Sequence, residues 1–169
     1  MPNPQNPTST LQSSTLKCDE KFESVFNNLA DAVFIHDLQG HFLEVNQTAA
    51  DRLGYSREEL LQMRPQDIDD VESAEKVAAR MKEMQEKGQI TFETVHISKD
   101  ATKIPSELNS KVIQYLGKPA VLTVARDITE RKKDEKVLEE INQKLVDREL
   151  KMIELKKEIA SLKQQLSQP

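Results

Sequence analysis

A chain of 169 residues, 37% hydrophobic and 31% charged, holds apolar material for one modest core and an appendage, not for two full domains. With 29 acidic against 24 basic side chains its formal net charge is -5, so it lacks the positive footprint a phosphate backbone demands, and no nucleic-acid partner is expected. A single cysteine, Cys18, excludes an internal disulfide framework and a cysteine-built zinc site and suits a reducing, cytoplasmic compartment, while apolar runs of about four residues are too short to span a bilayer.

Met1 to Lys17 contains three prolines among Ser, Thr, Asn and Gln, with no basic segment leading into an apolar one. Residues 1–18 are therefore predicted to be a disordered tail and not a secretory signal, and Cys18 is expected to be inert. From Asp19 to Leu29, the residues Phe22, Val25, Phe26 and Leu29 recur at i, i+3, i+4 and i+7, one face of a short amphipathic helix. The β-rich runs on either side of Asp37-Leu38-Gln39-Gly40 read as a hairpin. Asn46 is a good N-cap for a helix from Gln47 to Leu53, ended by Gly54. Ser56 and Glu59 form a capping box that opens a second helix, Arg57 to Met63, stopped by Pro65. A longer helix runs from Ser73 to Lys87, with Val77, Ala78, Met81 and Met84 on one side and Gly88 at its end. Three extended runs come next, Ile90 to Ser98, Lys103 to Tyr115 and Pro119 to Asp127, joined by Lys99-Asp100-Ala101-Thr102 and by Leu116-Gly117-Lys118. Five strands with the helices inserted as one block predict an α+β fold, a five-stranded antiparallel sheet with short helices on one face.

Thr129 to Leu166 contains no Gly or Pro, and about half its residues are charged. One heptad register holds throughout: Leu138, Leu145, Met152, Ile159 and Leu166 at a, with Ile141, Arg148, Leu155 and Leu162 at d. The predicted coiled-coil helix extends on the order of 55 Å and pairs two copies of the chain. Lys144 with Glu149 and Glu158 with Lys163 are favourable pairs across a parallel seam, whereas Lys151 with Lys156 is not.

The chain resembles the PAS domain family over about Asp19 to Asp127. The residues that carry the likeness are Gly40-His41-Phe42-Leu43-Glu44-Val45-Asn46, Gly54-Tyr55-Ser56-Arg57-Glu58-Glu59-Leu60, Lys99-Asp100-Ala101-Thr102-Lys103-Ile104-Pro105 and Arg126-Asp127-Ile128-Thr129-Glu130-Arg131-Lys132. The last run, leading into a coiled coil, is specific to signalling members. Ala101 departs from the pattern, since members usually carry Gly in that turn. The resemblance implies a cytoplasmic sensory domain over 19–127 whose sheet cups a small pocket beneath the helices. It also implies a signalling helix over 128–169, dimerisation, and relay of strain into that helix, as in the sensor part of a bacterial or archaeal histidine kinase with a signalling-protein partner.

Strand alternation indicates which groups face such a pocket. Ile104, Leu108 and Val112 share a face with Ser106 and Ser110; Ile90 and Phe92 share one with Thr94 and His96; Phe34 shares one with His36, and Val121 with Thr123. The candidate pocket residues are Phe34, His36, Phe92, Thr94, His96, Ser106, Leu108 and Thr123, an apolar wall with a few hydrogen-bonding groups, which suits a small ligand. The alternative is a collapsed core in which those groups bond to backbone or water. The cofactor is unknown. Flavin photoreceptor members carry a cysteine after the second short helix, where this chain reads Gln62-Met63-Arg64-Pro65-Gln66-Asp67, so adduct chemistry is excluded. Haem-binding members commonly place a His on the long helix. Ser73 to Lys87 has none, and His36, His41 and His96 fall on strands, so haem is disfavoured. The lack of Trp speaks against the redox-flavin subtype.

No catalytic motif is found, and the acidic pairs Asp69-Asp70 and Glu58-Glu59 read as solvated helix-start charges. Asp127 to Pro169 contains no His to accept a phosphoryl group, so an output kinase would lie elsewhere and no metal or catalytic site is expected here. Asp127, Thr129 and Arg131 are the expected coupling residues. Asp127 would pair with Arg131 or accept helix-start N–H groups, and Thr129 would help cap the helix. A second stripe, Val146, Leu150, Ile153 and Ala160, lies beside the main one, and Arg148 weakens the main seam at its centre. Two seam registers about 100° apart are therefore expected to be close in energy. The alternative for the helix is one broad seam in a static dimer or a four-helix contact, and the competing reading of the whole chain is a dimerisation platform that senses nothing.

Overall fold

The computed structural model describes residues 20–166, apart from the side chains at 74, 78, 85 and 164–166. The predicted tail, Cys18 and the Leu166 side chain lie outside the described residues. Helix α1 (20–27) leads into strands β1 (Ala32–Asp37) and β2 (Phe42–Val45). Five short helices come next: α2 (Gln47–Leu53), α3 (Arg57–Leu60), α4 (Pro65–Ile68), α5 (Val71–Ala74) and α6 (Val77–Lys87). Strands β3 (Gln89–Ile97), β4 (Lys103–Tyr115) and β5 (Lys118–Asp127) precede the long helix α7 (Thr129–Leu166). The strands make one antiparallel sheet in the order β2-β1-β5-β4-β3, which is the predicted class. The chain divides into two compact units, one through Ile128 and one from Thr129.

Asn46 sets the corner where strand becomes helix. Its Oδ1 accepts the N–H of Ala49, 3.0 Å, which caps α2, and the N–H of Val33, 2.9 Å, at the start of β1. Its Nδ2 donates to the carbonyls of Phe26 and Asp31, at 3.1 and 3.0 Å. Gly54 then closes α2 in the left-handed region, and the Ser56–Glu59 box opens α3 with both of its reciprocal bonds made.

Three sequence expectations differ from the observed fold. Helix α3 ends at Leu60, not Met63, and Pro65 opens α4 instead of only stopping a helix, because the first turn has no use for the N–H that proline lacks. The single helix expected over Ser73 to Lys87 is two. The Asp70 carboxylate accepts the Ser73 N–H at 2.9 Å to start α5, and a turn at Glu75-Lys76 separates α5 from α6. A layer that must track a twisted sheet is better built from short pieces than from one straight rod. Of the apolar stripe read near the N-terminus only Phe26 is buried, while Phe22, Val25 and Leu29 are exposed.

Phe34, Phe42, Val45, Ala49, Leu53, Leu60, Ile68 and Leu108 form the main core, and Met84, Ile90 and Val121 a second cluster; Phe92 packs against both. In α7 every described side chain from Glu130 to Lys163 is exposed, the seam residues Leu138, Ile141, Leu145, Arg148, Met152, Leu155, Ile159 and Leu162 included. Ile128, just before it, is buried in the sheet unit and donates its N–H to the Pro105 carbonyl at 2.9 Å.

In the β3–β4 loop the departure at Ala101 strains the backbone. Asp100 Oδ1 receives the Ser98 hydroxyl at 2.5 Å and the Thr102 N–H at 3.1 Å, and Ala101 is held at φ 65°. A left-handed conformation costs an L-residue roughly 1–2 kcal/mol, part of which glycine gives back through its freer unfolded chain. Ala101→Gly is therefore expected to raise stability by about 1 kcal/mol, read as a higher urea midpoint at unchanged slope. A lower midpoint would contradict the strain.

Candidate ligand-binding site

The cup between the sheet and helices α4 to α6 holds a half-open cavity of about 70 Å³. At roughly 10–15 Å³ for one water, the space admits about five waters or a compact organic molecule. β1 contributes Phe34 and His36, β3 Ile90, Phe92 and His96, β4 Leu108 and Ser110, and β5 Val121 and Thr123. The covering helices contribute Pro65, Ile68, Val77, Arg80, Met81 and Met84, and the residue after α4 contributes Asp69.

Six of the eight candidate residues, Phe34, His36, Phe92, His96, Leu108 and Thr123, line this cavity. Thr94 and Ser106 do not. Both are buried, but Thr94 donates its hydroxyl to Asp69 Oδ1 at 3.2 Å, and Ser106 donates to the Ile104 carbonyl at 3.1 Å. Thr123 and Ser110 bond to each other at 2.9 Å. His41 lies on the surface, between Asp37 at 3.0 Å and Arg64 at 2.7 Å.

Asp69 is the residue that sequence reasoning misplaces. Read with Asp70 it is a solvated helix-start charge, and Asp70 is one. The Asp69 side chain, by contrast, is only 5% exposed. The chain after α4 is laid along the free edge of β3: Asp69 bridges to His96, and the Asp70 N–H donates to the Val95 carbonyl at 2.9 Å. That strap turns the Asp69 carboxylate inward. The one sequence signal is Pro65, whose place at the start of a one-turn helix puts the chain's next change of direction at Asp69.

The electrostatics are set by burial. Burial pushes the Asp69 carboxyl up to about 6, against the opposing Thr94 hydrogen bond and the nearby Arg80 charge. Burial takes His96 down to about 4, helped by Arg52, and lowers His36, whose bond to the Asp37 carbonyl resists the shift. Both rings are therefore neutral at pH 7. The His96 Nε2 lies 3.7 Å from Asp69 Oδ1, too long for a hydrogen bond, and with a neutral ring this is a contact and not an ion pair. No described protein group hydrogen-bonds to the buried His96 Nδ1. The Arg80 guanidinium lies 4.0 Å over the Phe92 ring and reaches the Ser73 and Glu93 carbonyls at 3.5 and 3.4 Å. Burial lowers its pKa as well.

Of the coupling residues, Asp127 ends β5 and is exposed, Thr129 opens α7, and the Arg131 Nε lies 3.7 Å from Glu135 Oε1.

A family model described as PAS domain matches residues 30–130. The chain is 38% identical over 118 residues to the methyl sulfide methyltransferase-associated sensor of Methanosarcina acetivorans, a match covering 69% of this chain and only 12% of that protein. Among solved structures, the PAS domain of an HTR-like protein from Haloarcula marismortui superposes with TM-score 0.66 at 23% identity, covering 71% of this chain and 99% of that one. A PAS domain from a two-component sensor histidine kinase superposes with TM-score 0.57 at 26% identity, covering 66% and 97%.

The two buried groups give opposite pH dependences. Asp69, raised to about 6, adds stability that is complete below about pH 4 and is lost as pH rises through 6. His96, lowered to about 4, adds stability that is complete above its ordinary 6.5 and is lost as pH falls toward 4. Each shift of about two units corresponds to on the order of 3 kcal/mol, and in the native chain the two largely offset. Between pH 7 and 4, urea unfolding of Asp69→Asn is expected to lose about 3 kcal/mol more than wild type on acidification, and His96→Gln to lose less than wild type by a similar amount. Variants that both parallel the wild-type pH curve would contradict the assignment.

Proposed function

This chain belongs to the PAS domain family, and from that premise we propose that it is a sensor and signal-relay module. A small molecule in the cavity changes the sheet unit, and the change passes through Asp127, Thr129 and Arg131 into a coiled coil formed by α7 and its copy. The observation that carries the reading is the cavity itself, where Asp69, His36 and His96 are buried among apolar walls. Asp69 and His36 keep one hydrogen bond each and His96 Nδ1 has no described partner, so their burial costs stability, and groups so placed cluster at sites that recognise something.

Helix α7 supports the relay half. Isolated helices gain little stability from propensity alone, and most helical stability comes from burying an apolar face. A 38-residue helix with seam residues about half exposed, Leu145 at 53% and Leu155 at 48%, has that face ready for a second copy. Both stripes are equally open, Val146 at 50% and Ile153 at 50%, so the single chain favours neither register. A ligand with even modestly different affinity for the two states then shifts their populations.

The names of the relatives, one a sensor and one a sensor histidine kinase domain, support a histidine-kinase-type system, and a cytoplasmic location is part of the same proposal. Because the match covers 12% of the curated relative, that relative's own activity is not carried over. No catalytic role is proposed for the chain itself.

The second reading, a dimerisation platform without a ligand, draws on Ser106, Ser110 and Thr123, whose hydroxyls all find partners within the protein. Native mass spectrometry of the full chain purified from its host separates the two readings. A dimer retaining a stoichiometric small molecule is expected. An empty dimer would favour the platform, and a monomer would overturn both.

A further inference from the structure

We propose that the cavity selects a compact organic ammonium ion of about four or five non-hydrogen atoms, held by the Asp69 carboxylate. This rests on the sensor reading, since it names the ligand class for the same cavity.

The cavity's donors and acceptors are unequally engaged. The Ser110 and Thr123 hydroxyls bond to each other. His36 Nδ1 lies 2.8 Å from the Asp37 carbonyl, so its proton points there and the ring's other nitrogen keeps the lone pair. The Asp69 carboxylate opposite His96 Nε2 favours the proton on that nitrogen; Nδ1 has no described protein partner, but it is sealed from the cavity and offers a ligand nothing. The cavity therefore has its hydroxyls and the His36 N–H committed, and the Asp69 carboxylate is its main acceptor. A ligand that brings N–H groups matches it, and one that brings only acceptors does not.

Charge points the same way. Asp69 receives one hydroxyl bond from Thr94, while the nearby Arg80 spreads its guanidinium over Phe92 and two carbonyls. An incoming ammonium would give the carboxylate the bonded counter-charge it lacks, and the rings of Phe34 and Phe42, 5.3 Å apart, add attraction for a cation. An anion would face Asp69, and its one attractive partner, Arg80, is already stacked on Phe92. The volume of about 70 Å³ buries four or five non-hydrogen atoms and is too small to bury an aromatic cofactor.

The test is amide chemical-shift titration of the full chain at pH 7.5 with isopropylammonium, propan-2-ol and acetate, three probes of four non-hydrogen atoms each, similar in shape and different in charge. Isopropylammonium is expected to shift resonances of Phe34, Phe92 and His96, with Kd no tighter than roughly 40 µM for four heavy atoms. The other two probes are expected to bind at least tenfold more weakly, and Asp69→Asn to weaken the ammonium at least tenfold. Equal or better binding of the alcohol or the carboxylate, or undiminished binding by a folded Asp69→Asn, overturns the ammonium class while the sensor reading stands, because the cavity still loads. The wild-type panel decides selectivity even if that variant does not fold. If no probe reaches the cavity, the molecule retained by host-purified protein decides: an ammonium compound supports the class, and any other compound overturns it. An empty host protein removes both this inference and the sensor reading.

Discussion

Four hydrogen bonds to one wholly buried amide, Asn46, hold together the end of α1, the start of β1 and the first turn of α2. Such an amide can satisfy its whole hydrogen-bonding capacity only when all of its partners are in place, so the bonds form or fail together. The helices that cover the sheet depart from this corner. At the opposite edge the cover is held again, where the Asp69–Asp70 strap lies along β3. Between these two attachments the short helices span the cup, and the cavity is the space they leave uncovered.

The stability logic of the two attachments differs. The Asn46 amide has both of its polar atoms fully bonded, so burial strengthens those bonds and leaves neither atom unpaired. Around Asp69 the same strap turns a carboxylate into an apolar space beside two neutral imidazoles, which a sequence selected for stability alone would avoid. Local conflicts of this kind are expected where a protein gives up stability for recognition. That the core is complete elsewhere, with Val45, Leu53 and Leu60 nearly inaccessible, shows that the chain can fill space where nothing else is required.

Much of this was legible because it depends on short-range rules. Alternation along β3, β4 and β5 assigned faces to Phe92, His96, Leu108 and Thr123 since side chains in a strand must alternate. Asn46, Gly54, the Ser56–Glu59 box and Gly88 placed helix ends because each meets a backbone need within four residues. The long helix was legible from its heptads. The features that escaped depend on distant partners. Nothing near Asp69 and Asp70 distinguishes a buried carboxylate from a capping one; the difference is the edge of β3, some 25 residues away in the chain. Thr94 and Ser106 share parity with the cavity residues, but alternation assigns a face and not a neighbour, and their hydroxyls turn to Asp69 and to backbone. The stripe of Phe22, Val25 and Leu29 keeps helical spacing without finding a cover in the single chain.

The proposed relay requires that the cavity and the seam of α7 be one thermodynamic system, so that loading the first biases the register of the second. Disulfide cross-linking of single cysteines placed at Arg148 and Leu150, with Cys18 replaced by serine, reads the register directly. It should be done on host-purified protein and on the same protein stripped of its small molecule by unfolding and refolding. The account predicts that cross-linking yields at the two positions change in opposite directions when the cavity is emptied. Yields that are the same in both states would contradict it.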